Sequence, residues 1–278
     1  MRKAITRREF TRFAGGLAAL AGGSRIEAAK RLPIALELYS IREDCKNDLA
    51  GSLAKVAAMG YEGVEFAGYH GHSALAVRKM LDDNGLKCCS VHTGWPTVQA
   101  DQIQATIDFN KTIGNKRLIV PGMPAPVRQA MDKYADVAKQ FTEIAAKAKE
   151  QGMQVGYHNH TWEFEPPPGK RFWDVLAANT PKDFLLQLDI GHCRRAGSDP
   201  VAYIKQNAGR SVLLHMKDYS PKSADILLGE GIVEWKPLFA AAESVGGTEW
   251  YIIEQEHYPY PPMECVKRCL DNLKKLLA

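Results

Sequence analysis

Eight histidines occur in this 278-residue chain, and each falls at or just past the C-terminal end of a short apolar run. His70 and His72 follow the run 62–67, and His92 ends 87–93. His158 and His160 end 154–160, His192 follows 184–190, His215 lies near the end of 211–217, and His257 follows 250–256. Carboxylates accompany them: Glu65, Asp189, Glu254 and Glu256. A charge inside an apolar strand costs several kcal/mol unless it is paired or holds a metal. Basic partners near these positions are few (Arg42, Arg194, Arg195 and Lys217), so metal ligation is favoured over a buried salt bridge. Mixed imidazole and carboxylate donors suit one Mn²⁺, Co²⁺, Zn²⁺ or Fe²⁺ ion better than Ca²⁺. Such an ion with open positions binds substrate oxygens and polarises them.

His158 and His160 share one face of their strand, with Tyr157 and Asn159 on the other. A histidine there could work as a general base near neutral pH. Lys217 is two residues after His215, points the same way, and could neutralise a developing oxyanion. Its competing role is a surface salt bridge with Asp218.

The elements that would position these groups alternate regularly. Strands are expected at 33–39, 62–67, 87–93, 117–122, 154–160, 184–190, 211–217 and 250–256, each short and most rich in β-branched or aromatic residues. Helical patterns lie between them at about 44–60, 73–85, 98–114, 129–151, 171–179, 199–208, 234–246 and 261–277. Eight such units predict an α/β fold, a single (β/α)₈ TIM barrel over 31–278, with its chemistry at the C-terminal strand ends. An open doubly wound sheet usually carries a glycine-rich turn after its first strand. Here that place reads YSIRED.

Composition excludes other classes. With 45% hydrophobic and 24% charged residues the chain is an ordinary globular protein. The net charge of +4 belongs to the first 29 residues. Beyond them 30 Lys/Arg of 36 and 30 Asp/Glu of 32 remain and cancel, so a nucleic-acid partner is not expected. Residues 1–29 carry Arg7, Arg8 and Phe10 before a small-residue run at 13–23. They resemble a twin-arginine export signal, which implies a periplasmic protein. The run is too short for a stable membrane anchor. The six cysteines form no C-x-x-C motif, and most are expected to be buried as small hydrophobes.

The segments LYSIR (38–42), GVEFAG (63–68), YHNHTWEF (157–164), LDIGH (188–192), HMKD (215–218), GEG (229–231) and IIEQE (252–256) occur in that order. Together they resemble the xylose-isomerase-like TIM barrels of the sugar phosphate isomerase/epimerase superfamily, over roughly 33–277. The resemblance implies one divalent metal held by residues of the fifth to eighth strands. Asp189, His215 and Glu254 match the last three ligands. For the first, Glu163 folding back is favoured, with His158 or His160 as base or replacement ligand. The expected catalytic set is His158, His160, Lys217 and Glu254. The expected substrate-binding set is Glu65, His92, His192 and Glu256. Tyr39, Trp95 and Trp162 could stack on a sugar ring or simply pack the barrel.

Family chemistry is proton transfer next to a carbonyl through an enediolate. The leading expectation is therefore an isomerase or epimerase for a free sugar or keto-sugar. The alternatives are a 3-keto-glycoside lyase or hydrolase, an inosose-type dehydratase, and a non-catalytic sugar-binding subunit. An abasic-site endonuclease shares this barrel, but the neutral body and the export signal argue against it. Barrels of this kind often pair, which leaves a homodimer open.

Overall fold

Short apolar strands with long amphipathic helices between them can bury both strand faces by closing on themselves under a helical coat. The computed structural model, which describes residues 31–165 and 167–278, shows that closure. The expected export segment lies outside the described residues. The strands are β1 (Ile34–Glu37), β2 (Gly63–Phe66), β3 (Lys87–His92), β4 (Arg117–Val120), β5 (Gln154–His158), β6 (Leu185–Asp189), β7 (Leu213–Met216) and β8 (Trp250–Ile253). They pair in chain order, all parallel, and β8 returns to β1. The fold is thus a single (β/α)₈ barrel, as the alternation predicts.

Outward-facing strand residues such as Leu36, Val64, Tyr157 and Leu214 join the helices in one large core. The helix 129–151 shortens to α6 (Tyr134–Glu150), whose Tyr134, Val137, Phe141, Ile144 and Ala148 are buried. Met131, expected on that stripe, is 55% exposed because the chain there forms a separate short turn. The expected helix 44–60 is cut into α1 (Arg42–Asn47) and α2 (Leu49–Met59). Asp48 leaves the helical region at φ −155° and caps α2 by accepting the Gly51 N–H. No helix among the described residues is long and apolar enough to cross a membrane.

Inside, the barrel is layered. Ala35, Cys89, Ile119, Leu185, Leu213, Trp250 and Ile252 form a second, apolar cluster in its lower half. Two residues further along five of the strands the inward positions turn polar: Glu37 above Ala35, His158 above Gly156, Gln187 above Leu185, His215 above Leu213, Glu254 above Ile252. Gly156 is fixed by this packing. A Cβ there would lie 2.6 Å from Leu185 Cβ and 2.8 Å from Ile119 Cδ1.

β3 departs from simple alternation. Its register with β2 shifts, so that Val64 pairs with Cys88 but Glu65 with Ser90. The extra residue keeps Cys89 inward and turns His92 inward as well. Five of the six cysteines are buried and all six are free thiols.

Candidate active site

The last residues of the strands bring their side chains together over the apolar floor. His158, Asp189, His215 and Glu254 are all buried, and one donor atom from each lies within 4.8 Å of the others. Among the described residues, His158 Nδ1 and Asp189 Oδ2 are buried polar atoms with no hydrogen-bond partner. Two imidazoles, two carboxylates and two unpartnered donor atoms fit a divalent cation of the Mn, Co, Zn or Fe kind.

Each of these groups is held from behind. Asp189 ends β6 and caps α8 (Ile190–Arg195) by accepting the His192 N–H at 2.6 Å. Its own N–H donates to Asn159 Oδ1 at 2.9 Å, which ties β6 to β5. His215 Nδ1 lies 3.1 Å from Glu254 Oε2, and its Nε2 lies 2.5 Å from Glu65 Oε2. Gln187 donates to the other Glu65 oxygen at 2.8 Å, and His92 Nε2 meets Gln187 Oε1 at 2.8 Å.

Charge is balanced locally. Burial works against ionising His215, but the Glu65 and Glu254 carboxylates overcome it and push its pKa up to about 10. Burial likewise opposes charge on Glu65, yet the His92 and His215 imidazoles hold its carboxyl well below the usual range. Glu37, beneath them, is pushed up by burial and by the nearby Glu65 carboxylate. His158 is pushed far down by burial and by the His215 and His92 imidazoles.

A second set of groups stands at the rim. Lys217 Nζ lies 3.3 Å from Glu254 Oε2, 3.7 Å from Asp189 Oδ2 and 3.2 Å from His192 Nε2, and it forms an ion pair with Glu256. Burial would strip its charge, but the Glu254, Asp189 and Glu256 carboxylates keep it an ammonium. His160 packs between His158 and His192, with ring centroids 5.1 and 5.0 Å away. Burial, then the His192 ring, lowers its pKa to about 4, so its imidazole is neutral. These rims enclose a cavity of about 310 Å³ lined by Tyr39, His92, His158, His160, Glu254 and Glu256.

The structure therefore gathers most of the expected residues and relocates three of them. Glu163 is not with the other expected ligands. Its carboxylate accepts the Tyr157 hydroxyl at 2.7 Å and the His160 N–H at 2.8 Å, on the outward side of β5. His158 holds the fifth-strand place instead. Glu65, expected to meet substrate hydroxyls, is fully buried beneath His92, where it orients His215. His192, expected just past the sixth strand and outside the helical patterns, lies on α8. Lys217 faces the carboxylates of the site, while Asp218 turns to backbone N–H groups. Of the aromatic candidates, Trp95 and Trp162 pack on Phe141 and Phe172, and Tyr39, 43% exposed, lines the cavity. His70 and His257 are exposed and His72 is half-buried.

Sequence reasoning passed over Glu37, Gln187 and Asn159. Glu37 carries the same signal that marks Asp189 and Glu254, a carboxylate inside an apolar strand. Gln187 and Asn159 matter only through contacts between strands.

Comparison with known proteins agrees with this architecture. The profile of the xylose isomerase-like TIM barrel family matches residues 53–276. An inosose dehydratase of Lacticaseibacillus casei is 23% identical over 248 residues, covering 75% of this chain and 82% of that protein. The rhizopine catabolism protein MocC of Rhizobium meliloti is 22% identical over 267 residues, 81% of each chain. Among solved structures, a sugar phosphate isomerase/epimerase from Parabacteroides distasonis superposes with a TM-score of 0.76 at 25% identity, covering 88% of this chain and 98% of the other.

Proposed function

The chain belongs to the xylose isomerase-like TIM barrel family, and within it we propose a divalent-metal-dependent lyase that removes water, or another β-oxygen leaving group, from a keto-sugar or keto-polyol. The observation that carries this reading is the row His160, His192 and Lys217 beside four convergent metal donors. On this reading His160, which lines the cavity, is the proton acceptor, and Lys217, reached through His192, is the proton donor. The names of the curated relatives favour elimination over the isomerase reading of the sequence.

His158, Asp189, His215 and Glu254 would hold the metal. When bound, it would polarise the substrate carbonyl and acidify the neighbouring C–H. His160 then takes that proton. The C–H electron pair becomes the new C=C bond, the C–O bond β to the carbonyl breaks, and the oxygen leaves with a proton from Lys217. His192 lies between the two and gives the proton a way back to Lys217. Glu256 holds the ammonium in place, and His92 and Tyr39 contact the sugar. We further propose that residues 1–29 direct twin-arginine export to the periplasm. A chain with Arg7→Lys and Arg8→Lys should then stay in the cytoplasm, and export of that variant at the wild-type level would refute the signal.

The reaction is tested by incubating metal-loaded protein with 2-keto-inositol in D₂O and following it by NMR and ultraviolet absorbance. An unsaturated ketone forming with loss of water supports the lyase. Deuterium entering the carbon next to the carbonyl, with no loss of oxygen, would replace it with an epimerase.

A further inference from the structure

Beside the reaction centre lies a second cavity, of about 290 Å³. Its walls carry Arg195 from α8, Tyr219, Ser220, Lys222 and Ser223 from the segment after β7, and His257 from the segment after β8. These positions adjoin the site already described. Arg195 is one helical turn beyond His192 on α8, on the same side. Tyr219 is two residues past Lys217, and His257 directly follows Glu256.

The frame of this cavity is built. Asp218 accepts backbone N–H groups from Tyr219, Gly229, Gly231 and Val233, and so closes the base of the loop. Gly231 is required there, because a Cβ would lie 2.2 Å from Asp218 Oδ1. The buried Gln255 donates through Nε2 to the carbonyls of Ile226 and His257, which ties the loop to the segment after β8.

Its charge is one-sided. Among the described residues no carboxylate lines the cavity. Three neighbouring acids are occupied, Asp218 by four N–H groups, Glu256 by Lys217, and Glu230 by the Leu227 N–H, and the exposed Asp225 is not among the lining residues. Arg195 and Lys222 form no ion pair among the described residues, whereas the chain beyond residue 29 is neutral overall. Ser220 and Ser223 Oγ accept the backbone N–H groups of Lys222 and Asp225, which leaves both hydroxyl protons free to donate. Unpaired cationic and hydroxyl donors around a concave, pinned frame are the chemistry of oxyanion recognition.

We propose that this cavity is an anion subsite, and that the natural substrate carries a carboxylate or phosphate at the end remote from its keto group. Arg195 and Lys222 grip that oxyanion while the reacting carbons lie at Lys217 and His160. The proposal deepens the reading above and rests on it only for the chemistry at the other end of the substrate.

Binding separates the two. The full chain, loaded with Mn²⁺, is titrated calorimetrically with D-glucuronate, D-glucose 6-phosphate and D-glucose, then again as the Arg195→Gln, Lys222→Gln double variant. A charged sugar should bind at least about tenfold tighter than glucose. That preference should shrink with added salt and vanish in the double variant, whose substitutions touch none of the metal donors. Tighter glucuronate identifies a carboxylate, and tighter glucose 6-phosphate a phosphate. Equal binding of all three, no saturable binding of either charged sugar, or a preference that survives in the variant overturns the subsite. A lost preference with intact elimination would sink only the subsite, and a retained preference without elimination would sink only the reaction.

Discussion

The two halves of the barrel interior obey opposite rules. The lower half holds Ala35, Ile119, Leu185, Leu213 and Ile252, fully or almost fully buried and apolar. Burying the leucine and isoleucine side chains among them stabilises the fold by about 1.5–3 kcal/mol each. The upper half buries Glu37, Glu65, His158, Asp189, His215 and Glu254 just as deeply. There burial costs free energy that mutual pairing only offsets, so these residues are not what holds the barrel together. One strand often serves both halves, since Leu213 and His215 are neighbours on a single face. On the proposed function, the lower interior serves stability and the upper interior serves chemistry.

The sharpest test of that division is Asp189→Asn, which removes the charge but keeps the volume and an oxygen for the His192 N–H. Losing a ligand that stabilises transition-state charge should cut turnover by about a thousandfold or more and abolish metal retention. Thermal stability of the metal-free variant should equal or exceed that of the metal-free parent. A large stability loss with activity retained would erase the distinction. Leu213→Ala is the mirror experiment. It should cost about 2–5 kcal/mol in denaturant unfolding, while metal bound per folded chain stays unchanged.

Most of this division is legible in the sequence, because inward positions recur every second residue and the change from apolar to polar falls at the same height on most strands. IALE, LLHMK and YIIEQE all show it. Three things are not legible, each for a physical reason. The bulge at Cys89 and Ser90 inserts one residue, and without it simple alternation from Cys89 would turn His92 outward. Glu163 competes with His158 for the fifth-strand ligand place on residue type alone. What decides is that Tyr157 points outward and captures the carboxylate in the helical layer. The break at Asp48 is set by one side chain preferring a cap to a helical interior.

Glu65 sits where the two rules meet, since it is buried like the floor and charged like the site. Its contact with His215 Nε2 leaves Nδ1 to face Glu254. Glu65→Gln should weaken metal affinity by about 10–100-fold, as loss of such an orienting carboxylate typically does. Metal competition with a chelator measures this directly, and unchanged affinity would return Glu65 to a merely structural role.

The last expected effect lies outside the barrel wall, at Glu163, and bears on stability alone. Burial raises its pKa from 4.5 to about 8, although the Tyr157 hydroxyl and the His160 N–H both donate to it. Arg128, also acting on it, favours its charge, and Tyr134 is the other titratable group near it. A carboxyl whose folded pKa lies above its unfolded value favours the fold while protonated. Its contribution is full below pH 4.5 and is lost as pH rises from there to about 8. Glu163→Gln cannot ionise, so the parent should lose stability relative to this variant across that window, as urea midpoints at pH 5 and pH 8 would show. Parallel midpoints would mean that the two donors hold Glu163 ionised throughout, and that the outer layer tolerates a buried charge as the upper barrel does.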